Sequence, residues 1–401
     1  MFRPAFVPTT APSVRNSGTS LSRSSFLSLR NPAKFCNQAI RSSRLHVHTA
    51  PLKSSTVVSA VAAQPLTGKR VLVIGGTRFS GLYLVHELAN RGANVVVLNR
   101  GSKPVGDPSL KVPGETDEHF KERNDRTTQI VADRTDAEAL TSALASEKFD
   151  VIFDNNGREL SDSKPLADLA KKMDAHFVYM SSAGVYLKAP VMPHIEGDEV
   201  DPNCRHKGKL NTEDYLRETD VTYTAIRPTY IYGAGNYNPL DQWFFERLDK
   251  GMPICVPGHG AHLTGLGHVR DLAAAMAACA CNPVSFGQVY NVQDRRAVTF
   301  DGVARLCAKA MGKPEPEIIH YNPKDMDFGK KKAFPFRPQH FFCSPNKALR
   351  ELDWEVEYDL MAGLKDAYEN DFLLKKERGG LKNDFTTDDI ILSTVKGASV
   401  V

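Results

Sequence analysis

Apolar positions along the chain follow two spacings, one typical of buried strands and one typical of amphipathic helices. The run KRVLVIGG at 69–76 is continuously apolar and ends in two glycines, and NVVVLNR at 94–100 is a second such run. Between them, GLYLVHELANRG at 81–92 has helical spacing and a glycine stop. A strand, a glycine turn, a helix and a second strand predict the first unit of a dinucleotide-binding fold.

The alternation continues to about residue 228 and then loosens. Further strands are predicted at 128–133, 150–155, 176–182 and 221–228, and helices at 136–147, 163–173 and 208–218. Six strands alternating with helices predict an α/β protein with a Rossmann-like, doubly wound parallel sheet. Helical patterns at 239–251, 269–280 and 299–312, with short strands at 253–258 and 288–293, predict a smaller C-terminal α/β substrate lobe.

Composition sets the first residues apart from the rest. Residues 1–66 hold eight Lys and Arg and many serines, and the first acidic residue of the chain is Glu87. This composition is typical of an organelle transit peptide, and its serine content favours a plastid; the alternative is a tail without an address. We expect a leader over 1–66, a Rossmann-type domain over 67–235, an interleaved lobe over 236–375 and a tail over 376–401.

Without the leader the chain is mildly acidic, with 43 Lys and Arg against 47 Asp and Glu. That balance excludes a generally basic nucleic-acid-binding protein, so RNA binding would have to come from local patches. The seven cysteines include no CxxC pair, and they predict neither a disulfide framework nor a zinc site. No stretch of the sequence is apolar for long enough to span a bilayer.

The glycine turn GGTRFSG at 75–81 is the first candidate site. Gly75 suits a tight turn, Gly81 suits close packing of helix on strand, and Gly76 and Thr77 lead into a helix N-terminus that favours a pyrophosphate. Arg78 stands where a middle glycine is expected. We hold two interpretations of Arg78: it clamps a phosphate, or it lies across the turn and blocks a dinucleotide.

The ends of the second and third strands bear on the choice of cofactor. Asn99 and Arg100 replace the acidic residue that would bind the ribose hydroxyls of NAD, so the sequence favours NADP through a 2′-phosphate on Arg100. The alternative is that Arg100 is only a solvated loop residue. Asp133 ends the third strand, where we expect it to contact the adenine amino group.

Four motifs in order, GGTRFSG, SSAGVY (181–186), RPTYIYG (227–233) and GHVRDLA (267–273), resemble the extended, epimerase-like short-chain dehydrogenases over roughly 69–375. RHKGKL (205–210), YGAGNYNP (232–239) and MDFGKKKAFPFRPQHFF (326–342) are similar to one branch of them, the chloroplast stem-loop-binding proteins. The resemblance implies a plastid stromal protein that binds RNA and is associated with plastid ribosomal RNA. It also implies the metal-dependent endoribonuclease activity assigned to that branch.

In the parent family a serine, a tyrosine and a lysine surround the nicotinamide, and the tyrosine exchanges the proton. The resemblance places Ser182 at the serine position, Lys209 at the lysine position and Arg205 at the tyrosine position. Because an arginine stays protonated near neutral pH, it cannot exchange that proton. Ordinary dehydrogenase or epimerase turnover is therefore disfavoured, unless Tyr186 or Tyr215 reaches the site from elsewhere.

The replacement also makes the cleft more cationic. The residues expected at its edge are Arg205, His206, Lys207, Lys209, Arg227, His268 and Arg270. Such a cleft suits a phosphodiester, although RHKGK alone is equally typical of a solvated loop that starts a helix. For RNA cleavage we expect His206 as general acid or base and Lys209 as a phosphorane-stabilising cation. Competing histidines stand at 194, 259, 262, 268 and 340.

Two further segments are candidates. If a metal such as Mg²⁺ is required, Glu196, Asp198 and Glu199 are candidate oxygen ligands, against the alternative of a solvated acidic loop. Residues 328–342 interleave five phenylalanines with Lys330, Lys331, Lys332, Arg337 and His340. This mixture fits unpaired RNA, whereas the alternative is that the phenylalanines fill the core and the lysines are solvated.

The leading hypothesis is a plastid protein that binds or cleaves stem-loop RNA in ribosomal RNA maturation, ribosome assembly or transcript metabolism. One alternative is an NADP-dependent oxidoreductase or sugar-nucleotide epimerase. The other is a non-catalytic partner of plastid ribosomes or polymerase. A homo- or hetero-oligomer is expected in each case.

Overall fold

The computed structural model describes residues 65–238 and 240–398, with side chains described up to 395. Almost all of the expected leader at 1–66 therefore lies outside the described residues. Within them, no helix is long and apolar enough to cross a membrane.

Thirteen strands are present in the described residues. In chain order they are β1 (Arg70–Ile74), β2 (Asn94–Asn99), β3 (Thr127–Val131), β4 (Val151–Asp154), β5 (His176–Met180), β6 (Tyr223–Pro228), β7 (Tyr230–Tyr232), β8 (Ile254–Pro257), β9 (Leu263–Thr264), β10 (Leu266–His268), β11 (Gln288–Val292), β12 (Val298–Thr299) and β13 (Ile318–Tyr321). Seven of them form one parallel sheet in the order β11-β6-β5-β4-β1-β2-β3. This confirms the predicted α/β, doubly wound sheet. Its seventh strand, β11, comes from beyond residue 235 and pairs with β6.

Over the same described ranges, twelve α-helices accompany the strands. They are α1 (Phe79–Asn90), α2 (Asp117–Asp125), α3 (Ala137–Leu144), α4 (Leu160–Met173), α5 (Lys207–Glu218), α6 (Asp241–Asp249), α7 (Val269–Cys279), α8 (Phe300–Ala310), α9 (Asn346–Glu351), α10 (Leu360–Ala367), α11 (Leu373–Glu377) and α12 (Thr386–Ala398). Short 3₁₀ turns lie at Pro108–Leu110, Ala183–Val185, Pro283–Ser285 and Pro323–Asp325, and a π-helical turn lies at Tyr368–Phe372.

The central strands are apolar throughout because both faces of the sheet are covered. Successive residues point to opposite faces, so Val71 and Val73 of β1 enter one core while Leu72 and Ile74 enter the other. Helices α1 and α7 contribute to the first core, and α3, α4 and α5 contribute to the second. The two-sided burial fixes where each strand ends and therefore where the loops at the carboxyl edge begin.

The smaller lobe has its own aromatic core. Phe334 and Phe336 are buried there, with the Phe334 ring 5.4 Å from Trp243 and 5.0 Å from Phe300 between ring centroids. Phe341 is buried in a small neighbouring cluster. These three phenylalanines therefore fill the core, as the alternative interpretation of segment 328–342 predicted. The lysines of the same segment are exposed.

The last described helix is fixed to this lobe by a buried ion pair. Arg247 on α6 donates to both carboxylate oxygens of Asp388 on α12, at 2.8 and 2.6 Å. Both side chains are almost fully buried, and the Arg247 guanidinium lies 3.7 Å from the centroid of the Trp243 ring. The segment expected as a tail thus contains a helix that is packed against the lobe.

Candidate functional site

Two neighbouring cavities open at the carboxyl edge of the sheet. The first, about 530 Å³, lies beside the glycine turn and the ends of β2 and β3, and is called here the loop cavity; it is lined by Thr77, Arg78, Arg100 and Asp133 among others. The second, about 300 Å³, is called the basic cavity and is lined by Ser182, Arg205, His206, Lys209, Lys332 and Arg337 among others. A crevice at this edge is where open α/β sheets bind ligands.

The glycine turn has the geometry that the sequence predicts for Gly75 and Gly81. Gly75 has a φ of +81°, a conformation that side chains disfavour. A Cβ atom on Gly81 would lie 2.1 Å from the carbonyl oxygen of Gly75, so only glycine lets α1 start this close to β1. The turn therefore brings the α1 N-terminus to the loop cavity.

Arg78 lies at the junction of the cavities. Its guanidinium carbon is 4.0 Å from the ring centroid of Tyr237, on the loop that follows β7. Tyr237 is 57% exposed and lines both cavities. The arginine thus reaches from the glycine turn to the opposite wall, and the two interpretations of Arg78, a phosphate clamp and a block to a dinucleotide, both stay predictions.

The residues expected to select a cofactor lie at the loop cavity. Asn99 Oδ1 accepts from Gly101 N and from Gln129 Nε2, both at 2.7 Å, while Arg100 is exposed at the cavity edge. Asp133 Oδ1 accepts from the backbone and hydroxyl of Thr135, at 2.9 and 2.8 Å, and these hydrogen bonds lower the pKa of Asp133. An ionised carboxylate, a cation and a helix N-terminus fit the adenosine and phosphate parts of a dinucleotide.

One ion pair at the end of β4 was not predicted from the sequence. Arg134 donates to both oxygens of the buried Asp154, at 2.5 and 2.9 Å, and also to Asn156 Oδ1 at 2.5 Å. Burial raises the pKa of Asp154, but the Arg134 guanidinium and the Ser163 hydroxyl outweigh it and hold that pKa below its ordinary value. The pair fixes the loop between the two cavities.

Lys209 is bonded to the backbone at the ends of two strands. Its ammonium group donates to the carbonyl oxygens of Gly157 and Met180, at 3.0 and 2.5 Å, and lies 5.2 Å from the centroid of the Tyr179 ring. Burial lowers the pKa of Lys209 to about 8. Ser182, which lines the same cavity, accepts from Gly184 N at 3.0 Å. Lys209 therefore contributes to the structure of the cleft as well as to its charge.

Two guanidinium groups converge on one histidine nitrogen. His206 Nε2 lies 3.1 Å from Arg205 Nε and 3.2 Å from Arg337 Nη2, so it accepts from both arginines. Burial and the positive charges of Arg205 and Arg337 lower the pKa of His206 to about 4. A Cβ atom on Gly184 would lie 2.5 Å from the His206 ring, so the glycine of SSAGVY provides the space for it.

The structure joins two surfaces that the sequence had presented separately. Arg337 and Lys332, from the segment 328–342, line the same cavity as Arg205 and His206. In the described part of the chain, no carboxylate forms an ion pair with Arg205, Lys332 or Arg337. Of the other expected cations, Lys207 and Lys330 are exposed, while Lys331 bonds to Asp384 and Thr386.

Three cations expected at the cleft do not lie there. Arg227 is buried and donates to both oxygens of Glu213, at 3.0 and 2.5 Å. His268 is buried with its Nε2 3.2 Å from Asp366, and Arg270 donates to the carbonyl of Pro113. Each side chain turns away from the cleft because an oxygen partner lies in the interior or on another element.

Neither tyrosine considered as a substitute proton carrier lines the loop cavity or the basic cavity. The Tyr186 hydroxyl donates to Asn291 Oδ1 at 2.8 Å, and the Tyr215 hydroxyl donates to Asp168. Tyr230, which sequence reasoning missed, does line the basic cavity, but its oxygen accepts from Arg337 N at 2.9 Å. Burial raises the pKa of Tyr230, which disfavours proton loss.

The acidic loop does not gather its carboxylates. Asp198 Oδ2 accepts from Ile195 N at 3.0 Å and lies 3.2 Å from His194 Nδ1, while Glu196 accepts from Asn291 N at 2.9 Å. Among the residues that the structure describes, no group of three or more His, Cys, Asp and Glu side chains is arranged to hold a metal ion. Two of the three expected oxygen ligands for Mg²⁺, Glu196 and Asp198, thus accept hydrogen bonds from the backbone, while Glu199 is exposed.

Sequence comparison agrees with this fold and location. The profile of the NAD dependent epimerase/dehydratase family matches residues 71–292. A chloroplast stem-loop binding protein of 41 kDa, type b, from Arabidopsis thaliana is 48% identical over 327 residues, which are 81% of this chain and 84% of the relative. A dTDP-4-dehydro-6-deoxy-D-allose reductase from Streptomyces bikiniensis is 24% identical over 289 residues, 64% of this chain and 85% of the relative. The chloroplastic relative confirms the plastid location expected from the leader.

Solved structures match the fold at lower identity. An epimerase from Methanothermobacter thermautotrophicus has a TM-score of 0.62 at 20% identity and covers 79% of this chain and 95% of its own. A UDP-glucose 4-epimerase from Stenotrophomonas maltophila, solved with bound NAD, has a TM-score of 0.63 at 17% identity, with 77% and 99% covered. At these identities the likeness shows the fold alone.

Proposed function

Because the chain belongs to the NAD dependent epimerase/dehydratase family but has Arg205 where the family resemblance predicts a tyrosine, we propose that it is a plastid RNA-binding protein. Its basic cavity takes RNA phosphates, in the context of ribosomal RNA or transcript metabolism. The observation that carries this proposal is the convergence of Arg205 and Arg337 on His206 without a carboxylate partner.

Like charges held this close repel one another in the free protein. A phosphodiester would relieve the repulsion, because each guanidinium can donate two parallel hydrogen bonds to phosphate oxygens. Lys332 and Arg158, which also line the cavity, would extend the same path along a nucleic-acid backbone. The chain is mildly acidic outside its leader, so this local patch would supply the attraction that overall charge does not.

Two further observations favour RNA over another polyanion. The 48% identical relative is, by name, a chloroplast stem-loop binding protein. Tyr237, which lines both cavities and is largely exposed, offers an aromatic ring on which an unpaired base could stack. Phosphate contacts beside a stacking platform suit the loop of a stem-loop better than its duplex.

The side chains support binding more than cleavage. A histidine acts best as general acid or base when its pKa is near the working pH, whereas the pKa of His206 is about 4. Its Nε2 lone pair is already used by two guanidinium donors. Binding alone would also fit association with plastid ribosomal particles.

An NADP-dependent oxidoreductase is the second candidate, and the loop cavity with Arg100 and Asp133 is the observation in its favour. When bound, a nicotinamide cofactor supplies hydride chemistry. This chain would hold its adenosine end at Asp133 and its phosphates at the α1 N-terminus. Reduction or epimerisation would still need a proton carrier, and Tyr186 and Tyr215 lie outside both cavities.

The two candidates are separated by paired measurements on the full chain. Fluorescence anisotropy with a labelled plastid stem-loop RNA should show binding that weakens steeply with salt. Binding that is undetectable or independent of salt would overturn the proposal. NADPH oxidation in the presence of a 4-keto sugar nucleotide, at a rate lost in Lys209→Ala, would support the oxidoreductase instead.

A further inference from the structure

The loop cavity and the basic cavity form one continuous cleft. They share five lining residues, Ser80, Asn155, Asn156, Arg158 and Tyr237. Arg158 is exposed, and among the described residues it forms no ion pair. A ligand that enters the first cavity can therefore extend towards the second past Arg158, across the contact between Arg78 and Tyr237.

The two ends of this cleft suit different chemical groups. The loop cavity offers Asp133 for an adenine amino group, with Leu98 and Ala132 at the ends of β2 and β3 as its apolar lining. The basic cavity lies where the family resemblance places the nicotinamide, and Arg205, Lys332 and Arg337 line it. An oxidised nicotinamide ring is itself a cation, so this end repels it. The same three cations favour an anion.

We infer that the cleft binds an adenine nucleotide with a polyphosphate chain, with its base in the loop cavity and its terminal phosphates in the basic cavity. The inference rests on the proposed function in one respect: RNA phosphates and nucleotide phosphates would then compete for Arg205 and Arg337. The nucleotide would thereby regulate RNA binding through direct exclusion.

Arg78 and Tyr237 fit this ligand better than they fit a dinucleotide. Their contact, 4.0 Å from guanidinium carbon to ring centroid, lies at the junction that the phosphate chain must cross. A chain of phosphates offers oxygens to Arg78, and it is narrow and flexible beside the exposed ring of Tyr237. A second ribose with its base is bulkier at the same junction.

The nucleotide site is tested by isothermal titration calorimetry of the full chain with AMP, ADP, ATP and NADP⁺. We expect affinity to rise with each added phosphate and ATP to bind at least about tenfold tighter than AMP, as charge-assisted hydrogen bonds imply. In Arg205→Ala/Arg337→Ala, ATP should bind no better than AMP. The control Lys121→Ala, an exposed residue on α2, should match the wild type. Equal binding of AMP and ATP, or tighter binding of NADP⁺ than of ATP, would overturn the inference.

Competition is tested with labelled stem-loop RNA and unlabelled ATP. ATP should displace the RNA in the wild type, with an inhibition constant equal to its calorimetric Kd. Ala132→Phe, which fills the loop cavity, should abolish ATP binding and displacement while RNA still binds; thermal melting checks that it folds. If RNA binds and ATP binds elsewhere without displacing it, this inference fails and the proposed function stands. If RNA does not bind at all, the proposed function fails. The calorimetric series alone then tests whether the cleft binds an adenine nucleotide.

Discussion

Arg337 Nη2 lies 3.2 Å from His206 Nε2, although 131 residues separate them in the chain. The contact joins the smaller lobe to the start of α5 and places two guanidinium groups on one imidazole nitrogen. Arg205 stands at the position where the family resemblance predicts the proton-exchanging tyrosine, and it carries a positive charge there instead. Under the proposed function, these two positive charges would be paired by the phosphate of a bound anion.

Arg205→Ala/Arg337→Ala should weaken binding of stem-loop RNA. Loss of two charge-assisted contacts predicts a decrease of about tenfold or more in affinity at moderate salt. The slope of log affinity against log salt should fall in magnitude by about 1.4 to 1.8, because two phosphate contacts are removed. Anisotropy titrations across a salt series measure both quantities. Lys121→Ala serves as control, and an unchanged slope in the double variant would place the phosphates elsewhere.

His206 should remain neutral throughout the physiological range. Its pKa of about 4 in the folded protein lies below the ordinary value of about 6.5 that it regains on unfolding. Between these values the unfolded chain binds the extra proton, so this residue decreases the free energy of unfolding as pH falls from about 6.5 towards 4. Histidine-edited NMR should show the low pKa, and it should rise in the double arginine variant.

The contribution of His206 to the pH dependence of stability can be measured with two histidine variants. His206→Asn should reduce the pH dependence of chemical denaturation in that window, to which the buried His176 also contributes, whereas His119→Asn, an exposed change on α2, serves as control. A wild-type dependence in His206→Asn would show that other groups account for it.

Lys209→Met should destabilise the fold as well as alter the cleft. The change removes both hydrogen bonds to the carbonyls of Gly157 and Met180, which predicts a loss of about 1–3 kcal/mol. Urea denaturation measures it. The matched control is Lys207→Ala, an exposed lysine on the same helix, for which we expect a change within about 0.5 kcal/mol. Equal stabilities of the two variants would assign Lys209 to ligand contact alone.

Glu213→Gln tests the buried partner of Arg227. The guanidinium would keep its burial and lose its counter-charge, so we expect a loss of about 3–5 kcal/mol in the free energy of unfolding. Asp214→Asn, next to it on α5, removes the exposed pair with Arg217 and should cost at most about 1 kcal/mol. The RNA affinity of the folded fraction should be unchanged in Glu213→Gln. A large decrease in affinity would show that Arg227 contributes to RNA binding.

Local pattern accounts for most of the sheet. The runs containing Val71, Val95 and Val151 are apolar on both faces, and that property depends only on a strand being covered twice. It does not state which strands are neighbours, so the pairing of β11 with β6 emerged only from the structure. The glycines at 75 and 81 were equally predictable, because a short turn between strand and helix imposes its own steric limits.

The candidate site was less predictable for a different reason. Whether a cation faces a cleft depends on which oxygen lies within its reach, and that oxygen is usually distant in sequence. Arg227 is buried because Glu213 on α5 accepts from it, whereas Arg337 faces the cavity beside His206. In the sequence alone, Arg227 and Arg337 are equivalent positive charges. Contacts between residues more than a hundred positions apart have no signature in local spacing.

The ion pair between Arg247 and Asp388 has a consequence for how the chain tolerates trimming. Proteolysis just before α12 would leave a buried guanidinium without its counter-charge, and it would also remove Thr386, which accepts from Lys331. Lys331 is adjacent to Lys332, which lines the basic cavity. Loss of the last helix would therefore disturb the segment that carries Lys332 to the basic cavity, so a shortened chain should be cut after α12 rather than before it.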